Sequence, residues 1–305
     1  MPTLQEWLTR YLEFLGRENA SPYTVKNYGT DIAQFLDYCA RHHAASLDTI
    51  TRDLVRDYLA ELDGQQYVRA SIARRVFELR AFGDYLLRNE AWTQNTFRRV
   101  YAPRIGQKLP RYLTLEDIQK LLKVNDLSTP QGLRDQAILE TLYASGVRVS
   151  ELAGMDLRDL DLSAGEVRVI GKGDKQRLVL LGGPAVAALQ AYLSGGRPAL
   201  TGKRPSEALF LNRYGQRLSS RSVDEIVRTA GLAAGIQQTV TPHLLRHTFA
   251  THLLDGGADL RVVQELLGHE NLATTQIYAN VTQQRAREIY LKSHPRSRGS
   301  HRSEP

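Results

Sequence analysis

The sequence predicts a mainly α-helical protein with a small β-sheet, and two observations support this fold class. In residues 1–102 the apolar side chains recur at the three-to-four-residue spacing of amphipathic helices, for example along residues 4–15. In the second half, two short runs rich in β-branched residues and leucine, 166–170 and 176–181, predict a β-hairpin with a five-residue connection. We therefore expect an all-helical N-terminal domain followed by a mixed α/β domain.

Four helices are predicted in the N-terminal domain, which we place at residues 1–102. In the second helix, Ser21 is a good N-cap and Pro22 fits the first helical position. Thr51 and Ser71 are expected to begin the third and fourth helices. No run in this domain has the alternation of a strand.

A basic stretch containing proline and glycine, residues 103–111, predicts a linker. Residues 112–292 form the second predicted domain, in which residues 157–162 are a candidate third strand beside the hairpin. The polar, basic residues 293–305 are predicted to form a disordered tail. Helices are expected in this domain over residues 114–123, 132–143, 222–233, 242–254, 260–267 and 282–291.

Length and composition exclude several classes of protein. A chain of 305 residues with 42% hydrophobic and 24% charged residues is expected to fold as about two globular domains rather than to be disordered. No apolar run has the length of a membrane span, and the first residues lack a secretory signal, so we expect a cytoplasmic protein without membrane contact. Cys39 is the single cysteine, which excludes internal disulfides and cysteine-rich zinc sites.

The net charge of +7 is unevenly distributed. Residues 1–105 contain 14 basic and 13 acidic residues, whereas residues 106–305 contain the other 26 and 20. This balance fits a polyanionic partner and equally fits a solvated basic surface.

Common catalytic signatures are absent from the sequence. Gly165 and Gly171-Lys172 resemble a P-loop, but five residues separate the glycines instead of four, and Gly173 stands where a P-loop needs serine or threonine. The sequence contains neither His-Glu-x-x-His nor Gly-x-Ser-x-Gly. Nucleotide hydrolysis, zinc-protease chemistry and serine-hydrolase chemistry therefore lack support.

Six scattered residues remain as candidates for chemistry. Each has an ordinary structural interpretation: Arg148 could form a surface pair with Glu151, and a lysine at a hairpin tip is usually solvated. His252, outside this set, is interpreted as a hydrogen-bonded core histidine. The six candidates are Arg148, Lys172, His243, Arg246, His269 and Tyr278.

Taken together and in this order, the six residues resemble the catalytic set of the tyrosine recombinase, or phage integrase, family. The phrases around them are similar to its Xer subgroup: Gly-Lys-Gly-Asp-Lys at 171–175, Thr-Pro-His-Leu-Leu-Arg-His at 241–247 and Leu-Leu-Gly-His at 266–269. Ser-Pro-Tyr-Thr-Val-Lys-Asn-Tyr at 21–28 is similar to the core-binding domain of that group. The resemblance covers nearly the whole chain.

This resemblance implies a SAM-like core-binding domain joined to a catalytic domain. It implies that Tyr278 attacks a DNA phosphate to form a 3′-phosphotyrosyl link, while Arg148, Arg246 and His269 hold that phosphate. Lys172 would protonate the leaving oxygen, and His243 would accept the tyrosine proton. No cofactor or metal is implied.

The partners implied by the resemblance are double-stranded DNA, a homo- or hetero-tetramer with a related recombinase, and a septal DNA translocase as activator. The implied function is resolution of chromosome dimers at a dif-like site through a Holliday junction. Four alternatives remain: a phage or mobile-element integrase, a type IB topoisomerase, a non-catalytic DNA-binding subunit, and a helical scaffold. An N-terminal helix starting near residue 4 favours the Xer subgroup over integrases with an added arm-binding domain. Whether the helix at 282–291 docks on its own chain or on a neighbour is left open.

Overall fold

The computed structural model describes residues 2–103, 112–171, 176–202, 205–268 and 279–297, the side chains of 279–284 excepted. Contacts within the chain divide it into two compact units, and the boundary in the sequence lies between Leu109 and Pro110. Within the described ranges, no helix combines the length and the apolar character that a membrane span requires.

The N-terminal unit is helical, as the sequence predicts. Ser21 caps the second helix by accepting the Thr24 N–H at 3.0 Å, and Thr51 caps the third. The fourth helix begins two residues before the predicted Ser71, after Val68. The helices are α1 (Leu4–Arg17), α2 (Pro22–Arg41), α3 (Arg52–Gly64) and α4 (Arg69–Arg88).

Buried aromatic side chains form much of the N-terminal core. Phe35 contacts Tyr58 and Phe97 edge-on, with ring centroids 5.2 and 5.4 Å apart. Cys39 is fully buried among them, and burial raises the pKa of its thiol to about 12. The cysteine is therefore a packing residue.

The C-terminal unit combines helices with a small sheet. α6 is buried on nearly all sides, because most of its residues face α8, α11 or the turn that follows α8. The helices and strands of the C-terminal unit are α5 (Leu115–Leu121), α6 (Pro130–Ser145), α7 (Val149–Gly154), β1 (Leu160–Asp161), β2 (Glu166–Ile170), β3 (Gln176–Leu180), α8 (Gly183–Ala191), α9 (Arg197–Leu200), α10 (Ser220–Ala233), α11 (Pro242–Asp255), α12 (Leu260–Leu267) and α13 (Ala279–Ser293).

The three strands form an antiparallel sheet in the order β1-β2-β3. The predicted hairpin is confirmed, with pairing that runs from Glu166↔Leu180 to Ile170↔Gln176. The predicted strand at 157–162 is mostly wrong: residues 157–159 form a 3₁₀ turn, and β1 contributes two residues. The last pair of the hairpin is Ile170↔Gln176, and residues 172–175 lie outside the described residues.

The described part of α13 packs on α11 and α12 of its own chain. Tyr290 is 1% exposed in a cluster that includes Phe249 and Leu267. Within the single chain, this face of α13 therefore packs against its own domain.

The prediction of a disordered tail from Ser293 is wrong for its first five residues. Ser293 and His294 are buried, and the Arg296 guanidinium donates to both carboxylate oxygens of Glu140, at 2.5 and 3.2 Å. The buried Glu140 carboxylate on α6 thus fixes residues 293–297, which the sequence alone predicts to be a solvated basic tail. Residues 298–305 lie outside the described residues.

We predict that Gly146→Ala lowers the free energy of unfolding by about 2–4 kcal/mol, combining a left-handed-backbone cost with overpacking. Gly146 ends α6 with φ at 59°, and a Cβ there would clash with the Phe249 ring. Urea denaturation measures the change. Gly154→Ala is the matched control, since a Cβ at Gly154 meets nothing within 4 Å. Equal stabilities of the two variants would contradict the prediction.

We predict that His294 makes folding stability fall with acid. Burial lowers the pKa of His294 to about 3. Because the folded-state pKa lies below the unfolded value of about 6.5, the unfolded chain takes up the proton first, and stability falls by about 1.4 kcal/mol per pH unit below pH 6.5. His294→Asn should flatten this slope in urea denaturation between pH 7 and 4.5. An unchanged slope would show that His294 is accessible to protons in the folded state.

Candidate active site

The Arg148 backbone and one nitrogen of its guanidinium are held by hydrogen bonds, while much of the side chain is exposed. It caps α7 from the turn after Gly146, and its backbone N–H donates to Glu151 Oε2 at 2.7 Å. Its Nη1 donates to Glu151 Oε1 at 2.9 Å. The predicted Arg148–Glu151 pair is confirmed, but it is not an ordinary surface pair, because the Glu151 side chain is 2% exposed and that of Arg148 is 43% exposed.

Arg177 holds the same carboxylate, and sequence reasoning missed it. Its Nη1 and Nη2 donate to Glu151 Oε1 and Oε2 at 2.7 and 2.9 Å, a bidentate pair. The available signal was the alternation of β3, which places Arg177 on the same face as the buried Val179 while Leu178 points outward. An arginine on the inner face of a strand needs a buried acceptor, and Glu151 supplies it.

Glu151 stays ionised despite its burial. Burial by itself would raise the pKa of this carboxyl, but hydrogen bonds from Arg177 and Arg148 outweigh it and hold the pKa below its usual range. One carboxylate therefore faces two guanidinium groups, which leaves an excess of positive charge.

Arg246 adds a third guanidinium group to this site. From α11, its Nη1 donates to the Gly146 carbonyl at 2.6 Å and its Nη2 to the Leu267 carbonyl at 2.7 Å. Burial, followed by the charges of Arg148 and Arg177, lowers the pKa of Arg246 to about 10, so the group remains protonated at neutral pH. Carbonyl dipoles orient it without neutralising its charge.

His243 lies at the start of α11, three residues before Arg246 and on the same face of the helix. Its side chain is exposed. Thr241 caps this helix end by accepting the Leu244 N–H at 3.1 Å, which leaves the positive end of the helix dipole near His243. The exposed imidazole is accessible to a bound anion.

The structure confirms that His252 is a hydrogen-bonded core histidine. It is 6% exposed, and its Nδ1 lies 2.9 Å from the Tyr143 hydroxyl. Burial lowers the pKa of His252 and favours its neutral form.

Three predicted site residues, Lys172, His269 and Tyr278, lie outside the described residues. The described chain reaches their immediate neighbours: Gly171, Gly268 with φ at 68°, and Ala279 at the start of α13. The structure brings together Arg148 and Arg246 from α7 and α11, with Arg177 from β3. In the described part of the chain, no group of three or more histidine, cysteine or acidic side chains is arranged to hold a metal ion.

This arrangement can bind an anion with several oxygens. Guanidinium groups present paired N–H donors that match phosphate oxygens, and a site with more arginines than carboxylates attracts negative charge. Chemistry on a phosphate diester fits these side chains.

Comparisons with known proteins agree with this geometry. Residues 111–285 match the model of the phage integrase family, and residues 8–90 match the phage integrase N-terminal SAM-like domain. Tyrosine recombinase XerC of Pelotomaculum thermopropionicum is 44% identical over 302 residues, covering 96% of this chain and 99% of the relative. Tyrosine recombinase XerD of Staphylococcus aureus is 40% identical, covering 95% and 99%.

Solved structures share the fold. XerH site-specific recombinase bound to a palindromic difH substrate matches with a TM-score of 0.70 at 24% identity, covering 90% of this chain and 80% of that one. A lambda integrase tetramer bound to a Holliday junction matches with a TM-score of 0.69 at 21% identity, covering 91% and 80%. The SAM-like and catalytic folds expected from the sequence are thus confirmed. The chain belongs to the phage integrase family and is a site-specific DNA recombinase of the tyrosine type.

Proposed function

We propose that this recombinase cuts and rejoins double-stranded DNA through a 3′-phosphotyrosyl intermediate at Tyr278. The observation that carries the proposal is the cluster of Arg148, Arg177 and Arg246 around the single buried carboxylate of Glu151. A cationic site of this kind suits the scissile phosphate of a DNA strand.

The nucleophile is the Tyr278 phenolic oxygen. Its attack forms an O–P bond and breaks the bond from phosphorus to the 5′ oxygen, leaving a 3′-phosphotyrosyl ester and a free 5′-hydroxyl. A free tyrosine has a pKa of about 10 and needs a proton acceptor at neutral pH. The exposed His243 is the proposed acceptor, and it returns the proton when the strands rejoin.

Arg148, Arg246 and His269 are the proposed phosphate ligands. Negative charge increases on the non-bridging oxygens as the phosphorus becomes five-coordinate. Donors held in place before the reaction stabilise that charge, and each contributes about 2.7–4 kcal/mol by analogy with oxyanion-hole deletions. Arg148 and Arg246 fit this role because Glu151 and two backbone carbonyls fix their positions.

Lys172 is the proposed general acid for the leaving 5′ oxygen. The sequence position of Lys172 supports this role, since it lies between β2 and β3, and β3 carries Arg177 of the arginine cluster. The phosphotyrosyl ester retains the free energy of the phosphodiester, so rejoining to a partner strand needs no nucleotide hydrolysis.

We further propose that the biological reaction resolves chromosome dimers at a dif-like site in the cytoplasm. The names XerC and XerD of relatives that are 40–44% identical over nearly the full chain support this function. The proposed assembly is a homo- or hetero-tetramer on DNA that passes through a Holliday junction, with a septal DNA translocase as activator. The lambda integrase tetramer bound to a Holliday junction supports that assembly.

A mobile-element integrase of the same family is the second candidate. The match of residues 111–285 to the phage integrase family model is the observation that favours it. A two-site recombination assay separates the candidates: recombination between two chromosomal resolution sites supports the Xer function, and exclusive use of an attachment-site pair supports integration. Relaxation of supercoils without strand exchange would indicate a topoisomerase.

We predict that Tyr278→Phe binds DNA with unchanged affinity and forms no covalent adduct, because it lacks the attacking oxygen. The assay is a nicked suicide duplex carrying the chromosomal resolution site, with adducts resolved by denaturing electrophoresis. Tyr214→Phe, at an exposed tyrosine elsewhere in the catalytic domain, should form the adduct at the wild-type rate. An adduct with Tyr278→Phe would assign the nucleophile to another residue.

We predict that Lys172→Ala slows cleavage and that a substrate with a sulfur leaving atom restores much of the rate. A 5′-bridging phosphorothiolate leaves without protonation, so loss of a general acid matters less there. Single-turnover cleavage of both substrates measures the ratio of rates. Lys175→Ala, in the same connection, should cleave both at the wild-type rate. Failure of the phosphorothiolate to rescue Lys172→Ala would exclude the acid role.

A further inference from the structure

Arg177 occupies a position between three parts of the site. It is the second residue of β3, and its side chain is 18% exposed. Its guanidinium donates to Glu151, and its Cδ, Nε and Cζ lie against Gly268, within 3.0–3.1 Å of where a Cβ would be. Gly268 precedes His269 in the sequence. Arg177 therefore links the strand after Lys172 to Glu151 and to the end of α12.

The hydrogen bonds of Glu151 show why this link matters to Arg148. A carboxylate offers about four acceptor positions. Arg177 fills two of them, the Arg148 backbone N–H fills a third, and Arg148 Nη1 fills a fourth. Because Arg177 fills two of the four positions and the Arg148 backbone N–H a third, Arg148 gives Glu151 one guanidinium nitrogen and keeps the rest of its fork for another anion.

Loss of Arg177 would change that distribution. The buried Glu151 carboxylate would lose two of its four hydrogen bonds, both charge-assisted, and a buried charge with too few partners is strongly disfavoured. The nearest replacement donors belong to Arg148, whose side chain is 43% exposed and free to turn inward. Glu151 would then hold Arg148 with two nitrogens and draw it away from the substrate.

We propose that Arg177 is a positioning residue for the recombination reaction: by occupying Glu151, it leaves the Arg148 guanidinium free to bind the scissile phosphate. The inference rests on the phosphate-binding role proposed for Arg148. Arg177 itself contacts no substrate in this scheme, so its effect reaches the reaction through Arg148.

The test measures single-turnover cleavage of the suicide duplex by Arg177→Met and Arg177→Lys at saturating protein. A displaced phosphate ligand costs up to about 100-fold in rate. We expect Arg177→Met to cleave 10–100-fold more slowly with a DNA dissociation constant within threefold of wild type, and Arg177→Lys to be intermediate. Arg168→Met is the matched control, an exposed arginine on β2 of the same sheet, and should cleave at the wild-type rate.

Two further readouts separate positioning from a general structural defect. The double variant Arg148→Ala/Arg177→Met should be no slower than Arg148→Ala, because the lost function is shared. A methylphosphonate at the cleavage site lacks the negative charge that Arg148 binds, so the deficits of Arg177→Met and Arg148→Ala should shrink together. Additive losses, or a deficit that persists on the methylphosphonate, would overturn the proposal.

One variant tests the proposed cause even if Arg177→Met is poorly folded. Adding Glu151→Gln to Arg177→Met removes the buried charge that Arg177 no longer pairs with, so Arg148 is no longer drawn inward, and cleavage should recover several-fold over Arg177→Met alone. No recovery would contradict the mechanism. If Arg148→Ala itself cleaves at the wild-type rate, the proposed function of Arg148 fails, and this outcome is distinct from failure of the Arg177 inference.

Discussion

The buried carboxylate of Glu151 is the interaction on which the described catalytic geometry depends. It accepts hydrogen bonds from Arg148 and Arg177, and these donors keep it ionised where burial would otherwise protonate it. The same carboxylate fixes the start of α7 through the Arg148 backbone N–H. A single anion thus orients two cations and leaves an excess of positive charge at the site.

Backbone carbonyls orient the Arg246 guanidinium, as the Glu151 carboxylate orients that of Arg148. The carbonyls of Gly146 and Leu267 come from the ends of α6 and α12, and both helices end at a glycine in the left-handed conformation. Helix ends leave carbonyls without intrahelical partners, so an arginine that bonds two of them also satisfies the backbone. The positions of the proposed phosphate ligands Arg148 and Arg246 are therefore set by where three helices begin and end.

The carboxyl-terminal residues complete the fold of the catalytic unit. Tyr290 and His294 are buried against α6 and α11, and Arg296 pairs with Glu140. The helix that carries Tyr290, α13, begins at Ala279, directly after the proposed nucleophile in the sequence. Any assembly that moves this helix must first expose buried aromatic and charged groups.

Local patterns in the sequence were sufficient for most helices, the caps at Ser21 and Thr51, and the hairpin, because capping and periodicity depend on neighbours within a few positions. The six candidate residues came instead from the resemblance to a known family. The Arg148–Glu151 pair was also predictable, since it spans three residues. The role of Arg177 and the docking of Arg296 were decided by tertiary structure, because their acceptors, Glu151 and Glu140, lie 26 and 156 residues away in sequence. From the sequence alone, a charged side chain is expected to be solvated. Only the folded structure shows whether a buried group of opposite charge lies beside it.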